Sequence, residues 1–132
     1  MGKTKITIEH PLATKSVSLV WRLISSDHGL QKWMADDVKQ DNGEITFTWG
    51  EPWTAQDIRK STIIAMKPNK FIRLKWEENE SDEDYWELRI DKSDFSGSVC
   101  LIITDHVDPE DKEYMEEVWN HDLEKLHRAT GL

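Results

Sequence analysis

The sequence predicts an α+β domain in which a curved antiparallel sheet wraps around one long C-terminal helix. Three observations carry that expectation. From Glu44 to Thr104 apolar and polar residues alternate with period two, as strands with one buried and one wet face require. After Asp108-Pro109 the period changes to about 3.6 residues and holds to about Ala129. Ahead of the strand block, two short stretches with helical spacing follow a single strand. A bent sheet gripping one helix buries the apolar face of both.

Taken in order, Thr4 to His10 sets Ile6 and Ile8 against Lys5, Thr7 and Glu9, and Pro11 ends that strand. Ser16 offers an N-cap to a helix whose apolar side is Val17, Val20, Trp21 and Ile24. Asp27 to Met34 reads as a second helix, capped by Asp27, with Leu30, Trp33 and Met34 on its apolar side. Asp41-Asn42-Gly43 is a tight-turn signal, because Asn-Gly tolerates positive φ. The strand after it sends Ile45, Phe47 and Trp49 inward. Ala55 to Met66 is a long strand that closes at the turn Lys67-Pro68-Asn69-Lys70. Phe71 to Trp76 turns Ile72, Leu74 and Trp76 one way, and Tyr85 to Asp91 does the same with Trp86, Leu88 and Ile90. Ser98 to Thr104 is apolar on both faces, which predicts a central strand. In the terminal helix Met115, Val118, Trp119, Leu123 and Leu126 form one stripe, and Gly131 stops it.

The 132 residues carry no internal repeat or linker, so one domain spans 1–132. Twenty-six acidic against 17 basic residues give a net charge of -9, which argues against polyanion partners: no nucleic acid is expected, and anionic membranes fall down the order of expected partners. No apolar run is long enough for membrane insertion. The N-terminus lacks the apolar core of a signal peptide, Ile6 spoils a myristoylation motif at Gly2, and Cys100 has no partner for a bridge; a reducing, cytoplasmic setting is expected. Seven tryptophans are the anomaly of the composition, since each brings a large apolar area and an indole N–H that needs an acceptor.

Trp33-Met34-Ala35-Asp36-Asp37-Val38, Ile45 to Trp49, Ile72 to Trp76, Gly97 to Asp105 and Trp119 to Leu126 together resemble small bacterial proteins of the START-like (SRPBCC) superfamily. These proteins are related to the domain found in activators of the heat-shock-protein-90 ATPase. The resemblance implies the helix-grip fold and, often, a hydrophobic cavity between sheet and helix. It implies no catalytic set: members include lipid binders, aromatic cyclases and co-chaperones, and fold alone does not choose among them.

The candidate ligand-binding residues are Trp49, Trp76, Trp86 and Leu88 from the strands with Trp119, Asp122 and Leu126 from the helix. Aromatic walls with a few placed polar groups suit a small hydrophobic, aromatic or lipid-like ligand. The competing expectation is that the rings interdigitate into a solid core. Asp122 is the polar exception within the helix stripe; buried there, it needs an indole N–H, an arginine, a backbone group or a proton. Asp36 and Asp37 are neighbours in a strand and point apart, so Asp36 is expected to brace a turn. Glu113, Glu117 and His121 share a helix face at metal-ligand spacing, but that face is the wet one. His10, His28, His106 and His127 show no ligand spacing, and neither a nucleophile triad nor a phosphate loop is present, so no catalytic residue, metal or cofactor is assigned.

Three functions remain: a ligand-binding module; a co-chaperone-like module that meets a protein partner through an apolar rim around Pro52 and Trp53; and a cyclase-type enzyme that would need Asp122 to titrate far above an ordinary carboxylate.

Overall fold

A computed structural model of the chain describes residues 2–132. Seven strands form one antiparallel sheet: β1 (Thr4–Pro11), β2 (Asp37–Asp41), β3 (Glu44–Trp49), β4 (Asp57–Lys67), β5 (Phe71–Trp76), β6 (Trp86–Lys92) and β7 (Val99–Val107). Their order across the sheet is β1-β7-β6-β5-β4-β3-β2. Helices α1 (Val17–Ser25) and α2 (Asp27–Gln31) carry the chain from one edge of the sheet to the other, and α3 (Lys112–Thr130) closes it.

Turn chemistry sets the register. Asn42 and Gly43 take φ of 49° and 80°, the double positive φ of a type I′ turn, and pin β2 against β3 as Asp41↔Glu44. A bulge between Ile63 and Ala65 interrupts the β4–β5 ladder, a feature that bends a strand and sharpens its twist. Curvature of this kind lets the sheet's inner face follow a cylinder. Ile6, Ile45, Phe47, Ile72, Leu74, Trp86, Leu88, Leu101 and Ile103 from that face join Trp119, Leu123 and Leu126 of α3 in a single core.

Several readings of the sequence are corrected. Ser26, not Asp27, caps α2: its hydroxyl accepts from the Gly29 N–H at 3.0 Å, and Asp27 is the first helical residue. Gly29 is buried where α2 meets α1, and any β-carbon there would collide with the Arg22 carbonyl. Ala55 and Gln56 lie outside β4, because a Glu51–Thr54 turn occupies the loop before it. The strand apolar on both faces, β7, lies second from an edge; pairing on both sides by β1 and β6 explains its composition without a central place. Finally, a 3₁₀ turn at Pro109–Asp111 precedes α3, which ends where the Gly131 N–H bonds the His127 carbonyl at 2.7 Å.

Candidate functional site

The inward tryptophans meet in the gap between sheet and helix. Ring centroids step from Trp49 to Phe47 (5.9 Å), Phe47 to Trp76 (5.4 Å), Trp76 to Trp86 (5.2 Å), Trp86 to Trp119 (5.9 Å) and Trp119 to Trp33 (6.4 Å). Period two on β3, β5 and β6 and the helix stripe on α3 aim these rings at one another. Four of the indoles also find an acceptor: Trp33 donates to the Leu23 carbonyl, Trp49 to the Met34 carbonyl, Trp86 to the Ser61 hydroxyl and Trp119 to Asp105, at 2.7–2.9 Å. Buried and unpaired, each would cost about 1–3 kcal/mol.

The ladder is sealed in the middle and open at one end. A chamber admitting even water would leave accessible surface on its walls, yet Trp86 and Leu88 are 0% and Leu126 1% exposed. Trp49 and Trp76 are only half-buried. Trp76 forms part of the wall of a cleft of about 180 Å³ at the end of the gap where α3 begins, together with Lys3, Arg59, Glu78, Asp105 and Met115.

Across this mouth lies Arg59. Its guanidinium carbon sits 4.1 Å from the Trp76 ring centroid, and the same guanidinium is ion-paired with Glu78. Partial burial would raise the Glu78 carboxyl, but its own backbone amide and Arg59 hold it below its ordinary value. Asp105 is buried at the cleft's inner wall, where burial pushes its carboxyl upward while bonds from the Trp119 indole (2.9 Å) and the His106 N–H (2.8 Å) oppose the rise. His106 donates through Nδ1 to the Tyr85 carbonyl at 2.7 Å, which orients its ring beside the cleft.

Asp122 is 8% exposed and lies outside this wall. Of the partners open to it, the indole of Trp119 goes to Asp105 instead, because Trp119 reaches across to β7 rather than along its own helix. Lys125 Nζ stands 3.8 Å away, too far for a hydrogen bond, and burial pushes the Asp122 carboxyl up to about 7 against the pull of Lys125. Asp36 braces a turn as expected, accepting from the Gly50 N–H at 2.7 Å, and Glu113, Glu117 and His121 are exposed.

Sequence reasoning missed Asp105, Ser61 and Arg59. Asp105 fell one residue beyond the apolar run that ends at Thr104, although an acid next to a strand so apolar was a usable signal. Ser61 and Arg59 carried none, since their placement follows from the β3–β4 and β4–β5 registers.

The profile of the START-like superfamily domain matches residues 1–132. The chain belongs to the START-like superfamily. A solved protein from Bacteroides fragilis is 33% identical with a TM-score of 0.64, over 97% of this chain and 91% of its own. The AHSA1-like protein from Aeromonas hydrophila superposes with a TM-score of 0.76 at 11% identity, covering 97% and 92%. The Aha1 dimer from Colwellia psychrerythraea gives 0.71 at 14% identity, covering 97% and 98%. At those identities the last two share the START-like fold with this chain. No curated protein matches it. Among the described residues no helix is long and apolar enough to cross a membrane.

Proposed function

We propose that this START-like domain is a binding module whose ligand is ring-sized and sits at the mouth of the sheet–helix gap, over Trp76. The observation that carries the reading is the contrast along the ladder: sealed rings at Trp86 and Trp119, then a half-buried Trp76 opening on a cleft of about 180 Å³. An engineered apolar cavity of about 150 Å³ takes up benzene, so this cleft suits one ring rather than an acyl chain. Charged groups beside the indole add orientation. The experiment is a titration of intrinsic tryptophan fluorescence with single-ring compounds, repeated on Trp76→Leu. Saturable quenching that the variant loses supports the reading. Quenching retained by the variant, or none in either protein, removes it.

A second reading has its own observation. Trp53 is 80% exposed beside Pro52, and the exposed Ile58 shares a shallow depression with Pro52, an apolar rim such as a protein partner covers. The resemblance to heat-shock ATPase activators makes a heat-shock-protein-90 chaperone the partner to test. Stimulation of its ATPase that falls at least about tenfold with Trp53→Ser, the loss expected of an interface anchor, supports this role. Stimulation independent of Trp53 counts against it. A cytoplasmic setting fits Cys100, whose thiol is pushed up by partial burial and by Glu9, which disfavours the reactive thiolate.

A further inference from the structure

We infer that Arg59 is a built-in occupant of the Trp76 face, and that the ligand of the mouth is a small aromatic cation that displaces it. The inference rests on the mouth being the binding site and adds its charge class and its gate. Two facts about Arg59 point the same way. Its guanidinium lies over the Trp76 ring at 4.1 Å, so the ring's exposed face already holds a cation. Its counter-charge, Glu78, is also on the cleft wall, so one planar cation engages ring and carboxylate together.

The remaining walls favour the same sign. Asp105, Asp108 and Asp111 line the cleft with Glu78, against Lys3 and Arg59, and the whole chain carries a net charge of -9. An anion entering here would meet four carboxyl groups; a cation meets a π face and a carboxylate arranged for one. The exchange needs no rearrangement of the core. Arg59 is only partly buried and lies near the start of β4, close to the exposed loop of residues 51–56, so its side chain can swing into water while the backbone stays paired with Phe47. The strap thereby acts as a competitive, intramolecular inhibitor of its own site, and the apparent affinity is reduced by the fraction of molecules in which it is closed.

Three probes with the same ring and different charge test this: benzylammonium, benzyl alcohol and benzoate, titrated while following the indole N–H resonance of Trp76, assigned by its loss in Trp76→Phe. The expected order is benzylammonium tightest. Arg59→Gln, which removes the strap at a partly exposed position, should tighten benzylammonium about tenfold, the scale of a single cation–π interaction that no longer competes with the ligand. Glu78→Gln should weaken benzylammonium several-fold and leave benzyl alcohol in place. Benzoate binding as well as or better than benzylammonium, or an Arg59→Gln variant that binds the cation no more tightly, overturns the inference while leaving the mouth as a site. Failure of all three probes on every variant overturns the site and the inference together.

Discussion

Glu87, on the outer face of β6, is 5% exposed; Asp122, on the inner side of α3, is 8% exposed. Two acids so nearly alike in burial have opposite surroundings. Glu87 accepts from Arg73 at 2.9 and 3.1 Å and from Arg89 at 3.1 and 3.3 Å, while those guanidinium groups lie over the Tyr85 and Phe71 rings at 4.0 and 4.5 Å. Asp122 has Lys125 at 3.8 Å and, among the described residues, no hydrogen bond. Burial acts to raise both carboxyls. On Glu87 the arginines outweigh it and the carboxyl ends below its ordinary value, whereas Asp122 rises to about 7. The outer face thus uses charge as mortar on a wet sheet surface, and the inner one tolerates an acid whose counter-charge, Lys125, stands beyond hydrogen-bond reach.

Replacing Asp122 gives the larger test of that contrast. Its folded pKa lies above its unfolded one, so the stability it allows is complete at acid pH and is lost as pH rises from about 4 through about 7. Asp122→Asn mimics the protonated form. It should match the parent near pH 4 and exceed it by about 4 kcal/mol at pH 8 in denaturant unfolding. An advantage equal at both pH values would mean that the acid is solvated or paired after all.

The smaller effect belongs to Glu87 and has the reverse sign. Its folded pKa is depressed, so its contribution is present above the ordinary glutamate range and disappears as pH falls through the lower folded value. Glu87→Gln should cost about 1–2 kcal/mol at pH 7, since the arginines are one-third or more exposed and keep part of their hydration. That cost should shrink in acid. A cost that persists undiminished at pH 3 would assign it to packing rather than charge.

Much of the fold was legible because its signals are local. Asn42-Gly43, Pro68-Asn69, Ser16 and Gly131 act through the φ angles and hydrogen bonds of a few adjacent residues. The inward direction of Trp49, Trp76, Trp86 and Trp119 follows from period alone, and these rings do come together. Leu88 and Leu126 are buried with them in sealed packing whose density no periodicity reports. Asp122 was recognisable as a polar break in a stripe, though not which acid would receive the Trp119 indole. Asp27 and Ser26 show the limit at short range: the Ser26 hydroxyl takes the Gly29 N–H, while the Asp27 carboxylate accepts from the Gln40 N–H at 3.1 Å, a partner that no local signal announces.

By itself, the amino-acid sequence determined the element order, the faces of the strands and the acidic, single-cysteine character of the chain, because alternation, capping and composition are properties of neighbours. The tertiary structure alone decided that the aromatic ladder closes at Trp86 and opens at Trp76, that Arg59 lies across that opening, and that Asp105 rather than Asp122 is the partnered acid of the gap. Those facts depend on the β3–β4 and β4–β5 registers, the bulge at Ile63/Ala65 and the seating of α3 on the sheet, all of which join residues far apart in the chain, where local patterning carries no signal.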